Sequence, residues 1–522
     1  MSDPRSKNAP TRRDVVAAGA AIAGVSAAGL GGASAASPAL VASAKGGSRA
    51  LPERLFGVNS VVCYDVPFED PAMVPAVEKL APHYLRFPGG TVANYFNWRT
   101  GKLDVKPIPS GASVYRKYIL DYAQPSSHRL HPGGAFMEDF AKIAKALDAE
   151  TVFVPNLETS TVDEQTAWFA HLAEKGIAPR TVEMGNEFAL AILMDKASLE
   201  AWPDYASSMA RMKTYYEGFR KYLPDDARIA VQAAMSRLND LEEPPARAAI
   251  DRREWEWDNA LVPEDWFQAV TTHPYVGISS HSGVAALKGL PDTVDQVYPN
   301  MIAHTDDGIS RQLRFIEEKL PGKEIWVTEW GGADAVATFQ RIPLRFDGMW
   351  LNMMARSLLV FLRHPSVTVT NYHAMFFSGN LSSLFRRTSG PEKYAPINAA
   401  SLFAWFNRAS RGPGVTYTHL TIEGATRIEA KTNIPGEGFN DVEGGLFRKG
   451  DGAVALVHNA WKEPKTLDVS GLMDGRVPTK AEAMGADDLL AVYEVDLPPV
   501  RALAAGPAIV LPPYTTTRIE WA

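Results

Sequence analysis

The segment Thr181-Val182-Glu183-Met184-Gly185-Asn186 is a short β-rich run that ends in a glycine turn. A predicted helix precedes it and another follows it, and this alternation recurs from about residue 52 to residue 400. Alternating strands and helices are typical of βα units that build a parallel sheet. Eight β-rich runs are predicted in this part of the chain: Leu55–Val62, Tyr84–Gly89, Thr151–Leu157, Thr181–Asn186, Arg228–Ala234, Ala269–Tyr275, Glu324–Glu329 and Ser366–Ala374.

Eight strands with intervening helices in about 350 residues predict an α/β fold, a (β/α)8 TIM barrel with sizeable loops. Predicted helices include Ala135–Leu147, Trp202–Leu223, Asp347–Arg363 and one that begins at Thr161, where Thr161 and Glu164 suit a capping box. The structural alternative is a doubly wound open sheet. A glycine-rich phosphate-binding sequence would be expected after the first strand of such a sheet. None follows Leu55–Val62, and we therefore expect the barrel.

The sequence pattern changes beyond residue 400. A predicted helix, Ala395–Ala409, leads into Arg411-Gly412-Pro413-Gly414, which is typical of a domain boundary. From Val415 onwards short strands alternate with turns, among them Thr426–Thr432, Ala453–Asn459, Lys465–Val469 and Thr515–Trp521. We expect residues 45–410 to form the barrel and residues 411–522 to form an antiparallel β-sandwich. The segment Lys45–Leu51 could join the sandwich as an edge strand.

The first 44 residues have the features of an export signal. Arg12 and Arg13 precede a stretch rich in Ala, Gly and Val, and the order Thr11–Val16 resembles a twin-arginine signal. Cleavage sequences of the Ala-x-Ala type occur at Ala33-Ser34-Ala35 and Ala42-Ser43-Ala44. A periplasmic or secreted location is predicted, without membrane contact once the signal is removed. A membrane anchor is disfavoured because strongly apolar residues are few, and a basic alanine-rich tail with no targeting role stays open.

Charge and cysteine content exclude several classes of protein. The formal net charge is −7, whereas nucleic-acid-binding proteins usually present a basic face, so no nucleic-acid partner is expected. The single cysteine, Cys63, cannot form an intramolecular disulfide, and no Cys/His spacing predicts a metal site. We therefore expect neither a metal nor another cofactor. The oligomeric state is not encoded in these features.

Two glutamates stand where predicted strands end. Glu187 follows the fourth strand, and Glu329 ends the seventh. Because catalytic groups of (β/α)8 barrels lie at the carboxyl ends of the strands, these carboxylates should face one another across the barrel mouth. Cleavage of a glycosidic bond needs such a pair, one acid to protonate the leaving oxygen and one carboxylate to attack or to activate water. A salt bridge to an arginine is the structural alternative for either glutamate alone.

A family resemblance rests on these same positions. Gly185-Asn186-Glu187 and Glu329 look like the acid/base and nucleophile of clan A retaining glycosidases. Leu85-Arg86-Phe87-Pro88-Gly89-Gly90 and Asn94-Tyr95-Phe96-Asn97-Trp98 are similar to the second-strand motif of arabinofuranosidases and heparanase-like β-glucuronidases. The resemblance implies a carbohydrate substrate and retention of configuration. This chain departs from those families at Val182, where they often have Trp, and at Phe188, where they often have Pro.

Other strand-end residues are candidates for substrate binding. The resemblance implies that Asn186 binds a sugar 2-hydroxyl and that the Tyr275 hydroxyl orients the nucleophile. Arg86 could stabilise Glu329 as an anion or serve as a barrel-core ion pair. His273 could bind a sugar hydroxyl or be structural. The remaining candidates are Trp98 and Trp330, as rings that stack on sugars, and Asn156 and His373 near strand ends.

Several functional alternatives stay open. An arabinofuranosidase-like enzyme acting on a neutral sugar competes with a glucuronidase-like enzyme acting on uronic-acid glycans. Arg386 and Arg387 could receive a substrate carboxylate, but a surface basic pair is the commoner reason for such a sequence. The sequence does not separate a hydrolase from a transglycosylase. A non-catalytic carbohydrate-binding barrel is disfavoured because both carboxylates are present.

Overall fold

Eight parallel strands close into a barrel. In this computed structural model each strand pairs with the next in chain order, the eighth pairs with the first, and the sixth pairs with the seventh, so the sheet has no edge. The predicted (β/α)8 fold is therefore confirmed. The barrel strands, numbered first to eighth below, are Phe56–Asn59, Tyr84–Phe87, Glu150–Phe153, Thr181–Glu183, Arg228–Gln232, Ala269–Thr271, Glu324–Gly332 and Val367–His373.

The structure describes residues 40–62, 67–104, 131, 133–189, 202–234, 256–276, 294–332, 348–376, 383–387, 393–397, 399–434, 436–485, 488–489, 491 and 497–522. The predicted export segment up to residue 39, and Cys63, lie outside these ranges. Among the described residues, no helix combines the length and the apolar character needed to cross a bilayer.

Helices alternate with the barrel strands close to the predicted positions. Thr161 caps its helix, because its side chain accepts the backbone N–H of Glu164 at 3.2 Å. The Glu164 carboxylate pairs instead with Arg99 Nε at 2.9 Å, so only the Thr161 half of the predicted capping box forms. The α-helices are Met73–Glu78, Met137–Ala146, Val162–Glu174, Tyr205–Phe219, Val294–Ala303, Ile309–Lys319, Gly348–Arg363 and Ala399–Ser410; Thr91–Tyr95 and Arg220–Tyr222 are 3₁₀ turns, and His304–Gly308 is a π-helical turn.

The barrel interior changes from apolar to polar along its axis. One layer is filled by a closed cluster of inward side chains: Tyr84, Val152, Ala230, Ala269, Trp326 and Val369. Because side chains alternate along a strand, residues two positions further on also face inwards. These include Arg86, Thr271, Thr328 and Asn371, all fully buried. The polar layer therefore lies towards the carboxyl ends of the strands, where the predicted site lies.

Two sheets form the β-sandwich. The smaller has the order Thr421–Glu423, Leu40–Ser43, Lys465–Asp468 and Ala508–Leu511, with one parallel pair between Leu40–Ser43 and Lys465–Asp468. The larger has the order Arg49–Ala50, Thr416–His419, Val442–Lys449, Gly452–Asn459, Thr515–Trp521, Lys480–Met484 and Val500–Ala502. Side chains from both sheets share one apolar core. Residues 40–50 thus contribute a strand to each sheet of the sandwich.

One of the short remaining strands extends the barrel sheet, and the others form separate two-stranded pairs. The strand after the sixth barrel strand is Tyr275–Val276, which extends along the end of the seventh. The other pairs are Phe96–Asn97 with Lys102–Leu103, Phe385–Arg387 with Tyr394–Pro396, and Arg427–Glu429 with Gly438–Asn440.

A buried ionic cluster joins the barrel to the sandwich. Arg356 and Arg363, on helix Gly348–Arg363, pair with Asp306 of the π-helical turn and Glu443 of the sandwich. Burial and the neighbouring Glu443 raise the pKa of Asp306 to about 6. Burial opposes the charge of Glu443 too, but Arg363 and Arg356 hold its pKa at about 2. Two cations thus neutralise two carboxylates that are cut off from water.

Replacement of Arg356 by leucine should destabilise the protein strongly. Asp306 and Glu443 would remain buried with half their compensating charge, a loss of about 3–5 kcal/mol in the free energy of unfolding. Urea denaturation followed by circular dichroism measures this. Arg427→Leu is the control, because Arg427 is 48% exposed in its pair with Asp307 and should cost less than about 1 kcal/mol. Equal losses in the two variants would contradict a special role for the buried cluster.

Candidate active site

A register shift in the seventh strand turns two successive side chains into the barrel. Its pairing with the eighth strand is irregular between Val327 and Trp330. Thr328 reaches Glu183 inside the barrel and Glu329 reaches Arg86, whereas Trp330 packs outside against Phe361. In a regular strand consecutive side chains would point to opposite faces. The irregularity therefore lets Thr328 and Glu329 both face the barrel axis.

The loop after the fourth strand holds Glu187 in a left-handed conformation. Its φ is 59°, which costs a non-glycine residue roughly 1–2 kcal/mol. Asn94 fixes the backbone of Asn186, the residue before Glu187. Its side-chain amide donates to the Asn186 carbonyl at 2.7 Å, and its side-chain oxygen accepts the Asn186 N–H at 3.0 Å. On the other side Phe188 stacks on Trp202 with ring centroids 4.1 Å apart. These contacts hold the strained backbone in place.

Glu329 is held as an anion by its neighbours. One oxygen accepts from Arg86 Nη1 at 2.7 Å, and the other accepts from the Tyr275 hydroxyl at 2.6 Å. His373 Nδ1 lies 3.8 Å from the second oxygen. Burial raises the pKa of Glu329, but the neighbouring His273, His373 and Arg86 outweigh it and leave that pKa far below its ordinary value. The carboxylate is therefore ionised and oriented at both oxygens.

Arg86 connects both strand-end loops and is fully buried. Besides Glu329, it forms a two-pronged pair with Glu183, Nε to Oε2 at 2.7 Å and Nη2 to Oε1 at 3.0 Å. Nη2 also donates to the Asn186 side-chain oxygen at 2.8 Å. Although burial opposes the charge of Arg86, the two carboxylates raise its pKa above the ordinary value. All three guanidinium nitrogens are engaged by protein groups.

Glu187 lies beside His273 and close to Glu329. Its Oε1 is 2.8 Å from His273 Nδ1, and its Oε2 accepts from the Asn186 amide at 3.2 Å. One oxygen of each glutamate and a nitrogen of His273 all lie within 4.8 Å of one another. Burial opposes protonation of His273, but Glu329, Glu183 and Glu187 raise its pKa to about 10. His273 is therefore an imidazolium at neutral pH.

The same three groups are spaced as a cation would require, the one such cluster among the described residues. Their hydrogen bonds point to a different use. Both Glu329 oxygens and the facing oxygen of Glu187 are already paired, and His273 carries a positive charge that a metal ion would oppose. The arrangement suits transfer of a proton and attack by a carboxylate. We assign no metal to it.

The structure brings most of the predicted site residues together. Glu187, Glu329, Asn186, Arg86 and Tyr275 form one hydrogen-bonded group. His373 lies beside Glu329 and is bonded to Asn59 at 2.6 Å. His273 belongs to the group as well, but it is fully buried beneath Glu187, so it orients that carboxylate and does not reach a sugar hydroxyl.

Three predicted contacts with sugar have other partners in the structure. The expectation for Trp330 is wrong, because its ring is 1% exposed and packs among Phe361, Tyr372 and Phe403. Trp98 stacks on Trp168 at 6.3 Å and lies under the Arg99 guanidinium. The Asn156 side chain is satisfied by protein groups, donating to the Phe96 carbonyl and the Thr159 hydroxyl and accepting two backbone N–H groups of its own loop.

Sequence reasoning missed Glu183, Thr328 and the bracing role of Asn94. A signal for Glu183 existed, because a charged side chain within a predicted barrel strand needs a buried counter-ion and Arg86 stood in another such strand. Thr328 gave no signal, since strict alternation would point it away from the face that carries Glu329. Asn94 lay in the motif that resembled the known families, but nothing in the sequence showed that it would bond the Asn186 backbone.

Comparisons of the sequence with family models and with curated proteins find no match. Solved structures do match in fold. The family 51 α-L-arabinofuranosidase of Bifidobacterium longum aligns with a TM-score of 0.67 at 13% identity, covering 92% of this chain and 99% of that one. An arabinofuranosidase of Xanthomonas axonopodis pv. citri gives 0.64 at 14% identity with the same coverage. A Paenibacillus polymyxa family 44 xyloglucanase gives 0.56 at 10% identity, covering 92% and 98%. The fold that the motifs implied is confirmed.

Substitution of Gly90 by alanine should displace Glu329 and leave the fold intact. A Cβ at this position would lie 2.1 Å from Glu329 Oε1, so the carboxylate has to move. A displacement near 1 Å can cost about 100-fold in turnover. The measurement is turnover beside the melting temperature. Gly133→Ala is the control, because nothing lies within 4 Å of its Cβ. Wild-type turnover in the Gly90→Ala variant would contradict the requirement for this close approach.

Proposed function

We propose that this protein is a retaining glycoside hydrolase in which Glu329 is the nucleophile and Glu187 the acid/base. The observation that carries the proposal is the pair of buried carboxylates at the barrel mouth, with different partners. Glu329 accepts from Arg86 and Tyr275 and is held ionised. Glu187 faces His273 and the Asn186 amide. An anion held ready to attack and a second carboxyl able to move a proton are what this reaction needs.

The separation of the two carboxylates supports retention. Their nearest described oxygens are within 4.8 Å. Retaining enzymes place the two carboxyl groups about 5–5.5 Å apart, whereas inverting enzymes leave about 6.5–9.5 Å for an intervening water. A direct attack by Glu329 on the anomeric carbon fits the shorter spacing. The same geometry would serve a transglycosylase, which differs in the acceptor of the second step.

In the first step a Glu329 oxygen bonds to the anomeric carbon as the bond to the leaving oxygen breaks. The leaving oxygen takes the proton of Glu187, so the products are a glycosyl ester on Glu329, a free alcohol and an ionised Glu187. Arg86 and Tyr275 hold the attacking carboxylate in place through its two oxygens. Hydrogen bonds prepared in this way require no reorganisation during the reaction.

In the second step water replaces Glu329. Glu187 accepts a proton from the water, whose oxygen bonds to the anomeric carbon and releases Glu329 as the carboxylate. The buried charge is the same before and after each half-reaction. When Glu329 is neutralised as an ester, Glu187 becomes the anion, and the positive charges of Arg86 and His273 remain beside the pair. The negative charge therefore moves between two glutamates that the same cations surround.

We propose a neutral sugar, with an arabinofuranosidase-like specificity, as the substrate. Two of the proteins that share this fold are arabinofuranosidases by name. Arg86 is the arginine of the described site, and each of its guanidinium nitrogens donates a hydrogen bond to Glu183, Glu329 or Asn186. It therefore does not serve a substrate carboxylate. A uronide-specific enzyme would need another cation, and Arg386 and Arg387 on strand Phe385–Arg387 are the alternative donors. Comparison of a neutral glycoside with the matching uronide, in wild type and in Arg386→Ala and Arg387→Ala, separates the two specificities.

Variants of the two glutamates test the proposed roles. Glu329→Ala should abolish the covalent intermediate, which mass spectrometry detects with a slow substrate. Glu187→Ala should lose far more turnover on alkyl glycosides than on activated aryl glycosides, typically about 100-fold or more, because an activated phenol leaves without a proton. Azide should partly restore the second step of Glu187→Ala. NMR of the first-formed sugar should show the same anomeric configuration as in the substrate. Equal losses on both leaving groups would show that Glu187 is not the acid.

We also propose export by the twin-arginine route with cleavage at Ala33-Ser34-Ala35. Leu40–Ser43 lies in the centre of a sandwich sheet, where it pairs with Thr421–Glu423 and Lys465–Asp468. Cleavage after Ala44 would remove this strand. Leu40 and Ala42 are buried in the sandwich core, so the folded protein should keep them.

Sequencing of the exported protein should therefore give an N terminus upstream of Leu40. The Arg12→Lys, Arg13→Lys double variant should stay in the cytoplasm, folded and active. A version that starts at Lys45 should melt at a lower temperature, because it lacks a central strand. An exported protein that starts at Lys45 and melts like the longer form would overturn the cleavage proposal. Periplasmic delivery of the double variant would overturn the export route.

A further inference from the structure

A chain of four hydrogen-bonding groups runs beneath the catalytic carboxylates. Glu183 Oε1 lies 3.0 Å from the Thr328 hydroxyl, which lies 2.9 Å from His273 Nε2. On the other side of the imidazole, Nδ1 lies 2.8 Å from Glu187 Oε1. Glu183, Thr328 and His273 are all 1% exposed or less. None of these three takes part in bond making in the proposed reaction.

The direction of each hydrogen bond follows from the groups at the two ends. Glu183 is ionised, because its two-pronged pair with Arg86 lowers its pKa despite burial, and an ionised carboxylate only accepts. The Thr328 hydroxyl therefore donates its one hydrogen to Glu183. Having no second hydrogen, the hydroxyl oxygen accepts from His273 Nε2. Nε2 thus carries a hydrogen, and Nδ1 is the nitrogen that faces Glu187.

We propose that Glu183 and Thr328 are positioning residues that fix the hydrogen on His273 Nε2 and so direct the transferable proton of Glu187 to its Oε2. The proposal rests on the proposed function, since it takes Glu187 as the acid/base. With both nitrogens protonated, Nδ1–H donates to Glu187 Oε1. The transferable proton then belongs on Oε2, which the Asn186 amide contacts at the longer distance of 3.2 Å.

The charges around His273 favour this protonated form. Glu183, Glu187 and Glu329 face the imidazole, and Arg86 and His373 are the basic groups nearby. Before the reaction Glu187 holds the transferable proton and burial lowers the pKa of His373, so the carboxylates of Glu183 and Glu329, set against the single cation of Arg86, favour a cation on the imidazole. Of these contacts, the link through Thr328 is the one that can be removed without removing a charge or touching Arg86.

Thr328→Val is the variant that tests the chain. Valine has the shape of threonine without the hydroxyl, and it leaves the Arg86–Glu183 pair in place. His273 Nε2 would keep only Glu183 Oε1, at 3.6 Å, as a partner. We expect kcat to fall about tenfold or more on alkyl glycosides, and less on activated aryl glycosides, with little change in KM. Thr328→Ser keeps the hydroxyl and should behave as wild type.

The second measurement does not depend on activity. Nitrogen-15 NMR of the full chain labelled at histidine, with the His273 signal assigned by substitution, reports the protonation of each ring nitrogen. Both nitrogens should be protonated at pH 7 in wild type and Thr328→Ser. In Thr328→Val the titration of His273 should move down by about one unit or more. Should the valine variant fail to fold, Thr328→Ala makes the same test, because it also removes the hydroxyl.

The outcomes separate the two proposals. An unchanged His273 titration and an unchanged kcat on alkyl glycosides in a folded variant without the hydroxyl would overturn the positioning role. Equal losses in Thr328→Val and Thr328→Ser would also overturn it, because the hydroxyl would then not be the cause. If wild type cleaves no glycoside, the proposed function fails, and the NMR titration still decides whether the hydrogen-bond chain exists.

Discussion

The guanidinium of Arg86 is the interaction on which the rest of the site depends. It is fully buried and binds Glu329, Glu183 and the side chain of Asn186 together. These partners come from the fourth and seventh strands and from the loop that carries Glu187, so one side chain sets the distance between opposite sides of the barrel. An unpaired buried charge costs several kcal/mol, which makes the partners of Arg86 as necessary to the fold as they are to the proposed reaction. Stability and function therefore share the same atoms here.

This arrangement is possible because the barrel interior changes its character along the axis. The apolar layer around Trp326 excludes water below the site. Low access to water strengthens every charge interaction above it. Glu183, Glu329 and His273 are paired there, and their partners shift the pKa of each away from its ordinary value. A site built in this way has few alternative arrangements, because moving one group leaves another without its counter-charge.

The fold could be predicted from the sequence to a large extent, and the site in part. Eight β-rich runs gave the barrel and its order, since hydrophobic periodicity and the helical stretches between them are local signals. Glu187 and Glu329 followed from their positions at strand ends. The register shift beside Glu329 has no local signature, and for that reason Thr328 was missed. The same holds for His273, whose buried position depends on Glu187 and Glu183, which lie 86 and 90 positions earlier in the chain. Trp330 follows Glu329 directly, so ordinary alternation already points its ring out of the barrel, and the expectation of sugar stacking overlooked that alternation. Sequence patterns predict which element a residue belongs to; its partners across a barrel depend on the closed three-dimensional packing.

The parallel pairing of Leu40 with Leu467 has a consequence for how the chain reaches this structure. Residues separated by more than 400 positions must meet before the smaller sandwich sheet has its central strand, and the entropy of closing so large a loop has to be met by contacts that form early elsewhere. A ribosome would have released most of the barrel before Lys465–Asp468 exists to receive its partner. The smaller sandwich sheet can therefore be completed only after residues 465–468 have been synthesised. Residues 411–522 expressed alone would lack Leu40–Ser43, so the smaller sheet would be missing the strand between Thr421–Glu423 and Lys465–Asp468.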